Sequence, residues 1–137
     1  MPKFSKRSTK ELDTVHIVLQ RLLKRVILRT DFTVICGFRG QEAQTKAYES
    51  GASKLQFPYS RHNVSPSMAV DICPSPIDWN DMQRFRDLAE IMKEEFASMP
   101  EAEKLRYELV AGIDWKTFVD APHFELRFAE GLNPPKR

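Results

Sequence analysis

The chain has 137 residues, 42% of them hydrophobic and 29% charged, with a formal net charge of +2. This size and composition are typical of one globular domain, so we expect a single domain over residues 1–137 with a core over about 8–128. The small charge gives no support for a nucleic-acid partner. No apolar run is long enough to span a bilayer, which argues against membrane insertion.

The first residues are Met-Pro-Lys-Phe-Ser-Lys-Arg and lack the apolar core of a secretory signal. We therefore expect the protein to be made, and at first kept, in the cytoplasm. If its substrate lies outside the membrane, a separate membrane-permeabilising protein must release it. The two cysteines, Cys36 and Cys73, are too far apart in sequence for a metal-binding or redox motif and suit a reducing compartment.

The first predicted elements are a helix and a strand. Ser8 and Glu11 lie at capping-box spacing and predict a helix that runs from Ser8 to about Leu28. The β-branched run over 32–36 predicts a buried strand, which glycine ends.

A short helix over 41–50 is predicted next, because Gly51 is a common stop residue. Residues 52–68 show no periodicity and predict an extended loop. The run over 69–73 predicts a short strand, which ends before two prolines.

The second half of the chain predicts one long helix and two strands. Asp78 can cap the helix, whose apolar stripe is Trp79, Met82, Phe85, Leu88, Ala89, Met92 and Phe96. Alternating patterns predict strands over 105–110 and 123–128, and residues 129–137 predict a flexible tail. Helices separated by a few strands predict an α+β fold with a small, largely antiparallel sheet.

Two clusters of metal-competent residues stand about fifty positions apart. Asp71 follows His62 by nine positions, and Asp120 precedes His123 by three. Two histidines and one carboxylate can form a three-ligand zinc site with an open position, and a further carboxylate can act on water there. For each residue alone a structural role is as plausible: Asp71 can be an exposed strand residue, and Asp120 can close a turn.

Neighbouring residues have competing interpretations. Glu125 shares a strand face with His123, so it can orient that histidine or remain solvated. Arg39 follows a strand end and can stabilise negative charge or lie on the surface. Trp115 can form part of a substrate wall or pack in the core. Cys73 can face the metal, although core packing is the better explanation.

An ordered set of motifs carries a resemblance to a known family. The set comprises Gly37-Phe38-Arg39 with Gln41 and Gln44, then Ser60-x-His62, Ala69-x-Asp71, Asp114-Trp115 and Asp120-x-x-His123-x-Glu125. It resembles the zinc D-alanyl-D-alanine carboxypeptidase and L-alanyl-D-glutamate endopeptidase family, which includes the VanY- and VanX-like peptidases. The likeness is closest to compact phage endolysins and covers residues 8–128.

The resemblance implies a DD-peptidase or hedgehog-like fold and one zinc ion held by His62, Asp71 and His123. It implies Asp120 as the catalytic acid and base, and Arg39 as the arginine that polarises the scissile carbonyl. Ser60 matches a serine that positions substrate. We further expect Gln44 and Trp115 to contact substrate and Glu125 to support His123.

The implied activity is hydrolysis of the peptidoglycan stem peptide by a monomeric phage endolysin that cleaves L-alanyl-D-glutamate. Two alternatives stay open: a D-Ala-D-Ala carboxypeptidase or dipeptidase of cell-wall metabolism, and a non-catalytic zinc-stabilised domain that binds wall peptide. A basic nucleic-acid binder is a weaker third. The connection from His62 to Asp71 is two residues longer than is common in the family, which bears on substrate fit more than on metal binding.

Overall fold

The computed structural model describes residues 3–129, which form a four-stranded sheet with helices packed on one face. The strands are β1 (Phe32–Cys36), β2 (Ala69–Pro74), β3 (Tyr107–Ala111) and β4 (His123–Phe128), in the spatial order β1-β2-β4-β3. All three neighbouring pairs are antiparallel. The predicted α+β class and antiparallel sheet are confirmed, and the predicted tail lies, except for Ala129, outside the described residues.

In the described part of the chain, five α-helices accompany the sheet: α1 (Lys6–Leu12), α2 (Ile17–Val26), α3 (Gln41–Glu49), α4 (Met82–Ser98) and α5 (Glu101–Lys104). Helices α2 and α4 pack together, and α4 also contacts β2 and β3. No helix within residues 3–129 is long and apolar enough to cross a membrane.

The core lies between this helical layer and one face of the sheet. Its largest fully buried apolar side chains include Leu19, Leu22, Leu23, Phe32, Ile72, Phe85, Met92, Phe124 and Leu126. Burying each side chain of this size contributes about 1.5–3 kcal/mol before conformational entropy is counted. In β4 these residues alternate with His123, Glu125 and Arg127, and in β2 Asp71 lies between Val70 and Ile72, so these four polar side chains share the opposite face of the sheet.

The predicted N-terminal helix is wrong in two respects. It is two helices, and the Nδ1 atom of His16 caps the second by accepting from the Val18 N–H at 3.1 Å. The break arises because the intervening backbone bonds to the loop before β2: the His16 N–H donates to the Ser67 carbonyl. Ser8 is not a cap; its buried hydroxyl accepts from the Val34 N–H at 2.9 Å, and Ser5 caps α1.

Two later boundaries also differ from prediction. Asp81, not Asp78, caps α4, so Trp79 lies before the helix and is half exposed. Strand β3 begins at Tyr107 because Leu105 and Arg106 both have positive φ, which is incompatible with a strand. The predicted strands β1, β2 and β4, the loop over 52–68 and the helix ending before Gly51 (φ +83°) agree with the structure.

Strand register brings distant residues together at one position of the sheet. Asp71 in β2 lies directly opposite His123 in β4, and Cys36 in β1 lies opposite Asp71 on its other side. Directly paired residues on neighbouring strands have Cβ atoms about 4.5–5.5 Å apart, so their side chains meet. The antiparallel pairing therefore joins segments fifty residues apart in sequence.

Gly112 sets the turn that leads into β4. A Cβ atom at this position would lie 2.4 Å from the Asp120 carbonyl oxygen and 3.0 Å from the His123 Cβ. The Gly112 carbonyl in turn accepts from the Asp120 N–H at 3.0 Å. This close backbone approach fixes the position of Asp120 relative to the start of β4.

We expect Gly112→Ala to destabilise the fold by about 1–3 kcal/mol, because the added methyl group overlaps a backbone carbonyl that cannot swing away. Urea denaturation measures the free energy of unfolding, and amide chemical shifts report whether residues 120–123 move. Gly40→Ala is the matched control, since its Cβ meets only the Phe38 ring at 3.7 Å. Equal effects of both substitutions would contradict the assigned role of Gly112.

Candidate metal centre

Three predicted metal ligands converge on the polar face of the sheet. The Oδ1 atom of Asp71 lies 3.3 Å from His62 Nε2 and 3.2 Å from His123 Nδ1. His62 is 2% exposed and His123 is 6% exposed. Donor atoms of the types that zinc prefers thus come from loops and strands into two groups that share Asp71: Cys36, His62 and Asp71, and Asp71, Asp120 and His123.

The second nitrogen of each ring is already engaged. His62 Nδ1 lies 2.7 Å from the Gly37 carbonyl oxygen, and His123 Nε2 lies 2.8 Å from Glu125 Oε1. A ring nitrogen that bonds to an oxygen acceptor must carry hydrogen, so the opposite nitrogen of the neutral ring presents a lone pair. In both rings that opposite nitrogen faces Asp71, which is the orientation of histidines that bind a metal. The donor set therefore fits a divalent metal ion.

Asp120 lies at the edge of this group. Its Oδ2 atom is 3.9 Å from His123 Nδ1, and one donor atom each from Asp71, Asp120 and His123 lie within 4.8 Å of one another. Burial, followed by the charge of Asp71, raises the pKa of Asp120 above its usual value. A partly buried carboxyl with a raised pKa is suited to accepting and returning a proton.

The charges of His62, His123 and Asp71 change one another's pKa values. Burial opposes the charged form of His62, but the neighbouring Asp71 carboxylate overcomes this and raises the pKa of His62 to about 10. Burial likewise opposes the charged form of His123, and its bond to Asp71 raises its pKa. Burial would raise the pKa of Asp71, yet the charge of His62 lowers it. A metal ion that binds these residues must displace protons from the rings.

The structure places Cys36 at this group. Cys36, His62 and Asp71 offer donor atoms within 4.8 Å of one another. Cys73, which the sequence suggested as a possible metal neighbour, is instead fully buried with its thiol near the Pro74 carbonyl. Sequence reasoning missed Cys36 because only the register of β1 against β2 reveals that it lies opposite Asp71.

Arg39 contacts the centre directly, whereas Gln44 does not. Arg39 Nη2 lies 3.2 Å from Asp71 Oδ2, and its Nη1 donates to Gln44 Oε1 at 3.0 Å. Gln44 is fully buried and also donates to the Leu55 carbonyl, so it supports the cleft wall from behind. The expected contact of Gln44 with substrate is therefore corrected: its side chain has no exposed surface.

The loop before β2 holds His62 through local bonds. The Ser60 hydroxyl accepts from the His62 N–H, and Asn63 Oδ1 accepts from the Ser60 N–H, which forms a capping box on the 3₁₀ turn Arg61–Asn63. Ser67 then donates to the Ala69 carbonyl at 2.7 Å. These bonds order the long connection between His62 and Asp71, so its extra length does not separate the two side chains.

A cleft of about 500 Å³ opens over the centre. Ser60, Asp120 and Trp115 line it, and the Trp115 ring lies 5.1 Å from the His123 ring. Lys54 and Phe118 also line it, with the Lys54 ammonium 5.2 Å from the Phe118 ring centre. Polar and aromatic groups around buried donor atoms are typical of an enzyme cleft.

Glu125 is buried beneath the cleft floor at 5% exposure. One of its oxygens bonds to His123, and the other lies 2.8 Å from the Nε atoms of both Arg61 and Arg127. Burial opposes its charge, but the bonds from His123 and Arg127 lower the pKa of Glu125 to about 2. The expected contact with His123 is present, and the two arginines were not predicted from the sequence.

The chain is similar to proteins that are named as peptidases. A curated relative, the L-alanyl-D-glutamate peptidase of Escherichia phage T5, is 30% identical over 123 residues, which cover 86% of this chain and 85% of the relative. The crystal structure of the Serratia marcescens L-Ala D-Glu endopeptidase ChiX superposes with a TM-score of 0.72 at 26% identity, over 90% of this chain and 89% of that one. Residues 1–127 match the family described as phage L-alanyl-D-glutamate peptidase, and the chain belongs to that family.

Proposed function

We propose that this protein is a zinc-dependent peptidase that cleaves the L-alanyl-D-glutamate bond of the peptidoglycan stem peptide, as a phage endolysin. The observation that carries the proposal is the meeting of His62, Asp71 and His123 beside Asp120 at the floor of an open cleft. Family membership and the similarity to two proteins named for this activity support it.

Zinc would be held by His62 Nε2, an oxygen of Asp71 and His123 Nδ1, since these atoms converge and are the usual donors for that ion. A bound zinc ion supplies a Lewis acid that acidifies water and polarises a carbonyl group. The requirement that both rings lose their protons makes binding tighter as the pH rises.

The side chains around the donor atoms have separate roles in the proposed reaction. Asp120 accepts a proton from the attacking water and returns it to the departing amine nitrogen. Arg39 holds Asp71 through Oδ2, and its positive charge stabilises the negative charge that develops on the carbonyl oxygen. Ser60 and Trp115 line the cleft where the peptide would lie.

The remaining expectations concern the setting of the enzyme. We infer that it acts as a monomer, stays in the host cytoplasm until lysis and then reaches periplasmic peptidoglycan. A separate membrane-permeabilising protein would release it. The cleft already contains every proposed catalytic group within one chain, which supports action as a monomer.

We expect Asp120→Asn to retain about one equivalent of zinc but to lose at least about 100-fold in the rate of stem-peptide hydrolysis. Asparagine keeps the shape of the side chain yet cannot carry the proton. Metal content after dialysis and the initial rate on purified sacculi give the two quantities. Asp120→Asn with wild-type activity would exclude the proposed proton transfer.

His62→Ala and His123→Ala are expected to lose zinc, since each removes one of three ligands. His16→Asn provides the matched control: His16 caps α2, lies outside the donor group, and asparagine can replace it as a cap. Zinc retained by both alanine variants, or lost equally by His16→Asn, would contradict the assignment of the ligands.

The bond that is cut can be identified from the released fragments. We expect mass spectrometry of digested peptidoglycan to show a new amino terminus on D-glutamate and no free D-alanine. Release of D-alanine would instead establish a carboxypeptidase. Binding to sacculi without any fragment would establish a wall-binding domain.

A further inference from the structure

Arg127 lies in the cleft and has hydrogen-bond donors that bond to no other group of the described chain. Its side chain is 46% exposed, lines the cleft and stands on β4 on the same face as His123 and Glu125. The Nε atom donates to Glu125 Oε2 at 2.8 Å. Within residues 3–129, neither terminal nitrogen of Arg127 has a hydrogen-bond or ion-pair partner.

The other cations of the cleft offer less to a ligand than Arg127 does. Both terminal nitrogens of Arg39 are bonded, one to Gln44 and one to Asp71. Arg61 makes the same Nε contact with Glu125 as Arg127 does, but its side chain is 28% exposed against 46% for Arg127. Lys54 lies over the Phe118 ring as a single charge. Arg127 therefore offers a planar pair of donors to a ligand, the geometry that matches a carboxylate.

The position of Arg127 is fixed relative to the reaction site. One buried carboxylate, that of Glu125, joins its Nε atom to His123 Nε2, with 2.8 Å contacts on each side. A guanidinium held through Nε loses little further freedom when it binds a ligand through its terminal nitrogens. This prior ordering distinguishes Arg127 from an ordinary surface arginine.

The chemistry of the proposed substrate supplies the matching group. L-alanine contributes the carbonyl that is cleaved and has only a methyl side chain, so it bears no free carboxylate. Free carboxylates belong to the fragment that leaves with the new amino terminus: the α-carboxylate of a D-glutamate linked through its side chain, and any carboxylate on the next residue. Both fall on the same side of the scissile bond.

We propose that Arg127 is a specificity-determining residue that binds a free carboxylate of the leaving fragment and so selects acidic stem peptides over amidated ones. The inference rests on the proposed peptidase function, because it concerns the same cleft. It adds a substrate-binding role to a residue that makes no contact with the proposed metal ligands.

The test compares one acylated stem peptide with two derivatives, amidated at the D-glutamate α-carboxylate or at the carboxylate of the following residue. Wild type, Arg127→Ala, Arg127→Lys and Arg86→Ala are assayed with zinc bound, after their folding is checked by circular dichroism. Arg86 is an exposed arginine outside the cleft and serves as the control. The quantity measured is kcat/KM for each enzyme and peptide.

We expect the wild type and Arg86→Ala to prefer the free acid over one of the amides by about 10- to 100-fold. Arg127→Ala should cleave the acid and that amide at equal rates, mainly through a raised KM for the acid, and Arg127→Lys should recover part of the preference. The amide that is discriminated identifies which carboxylate Arg127 binds.

Two results would overturn the inference while the proposed function stands. One is equal kcat/KM of the wild type on the acid and both amides. The other is equal slowing of all three peptides by Arg127→Ala, which would show that Arg127 only supports Glu125. If wild type cleaves none of the peptides, the proposed function itself fails and the inference fails with it.

Discussion

The site depends on one carboxylate oxygen, Asp71 Oδ1, which lies within 3.3 Å of a ring nitrogen of both His62 and His123. Such an arrangement places three polar groups in a nearly dry part of the protein, which is unfavourable unless each is bonded or bound to an ion. Burial opposes the charge of Asp71, but the charge of His62 lowers the pKa of this carboxylate, and Arg39 contacts its second oxygen at 3.2 Å. The cleft, the ring orientations and the pKa values of the histidines all follow from this arrangement.

Each histidine ring is held at the nitrogen away from Asp71, and the turn before β4 is held by a close backbone approach. The Gly37 carbonyl fixes His62, Glu125 fixes His123, and the close approach of Gly112 fixes the turn that carries Asp120. Groups that bond to the outer nitrogen of a ligand histidine set both its orientation and its basicity. Both rings are therefore already turned toward Asp71 in the folded protein.

The sequence predicted what depends on local pattern. Alternation gave the faces of β2 and β4, and the spacing of His62, Asp71, Asp120 and His123 indicated the residues that the structure brings together. Prediction from the sequence failed where tertiary contacts override the local preference of the chain. The break before His16 exists because that backbone bonds to the Ser67 loop, and Cys36 reaches the centre only through strand register. Neither contact leaves a local signal in the sequence.

Glu125 links the proposed metal ligand His123 to the arginines that line the cleft. Its two oxygens contact a proposed metal ligand on one side and two arginines of the cleft on the other. A substrate carboxylate on Arg127 would share the guanidinium charge with Glu125, and the bond from Glu125 to His123 would respond to that change. Substrate recognition and the basicity of a proposed metal-binding ring would thus be connected through one buried carboxylate. The contacts of Glu125 with His123, Arg61 and Arg127 compensate the burial of its charge, and these are the contacts through which that connection would act.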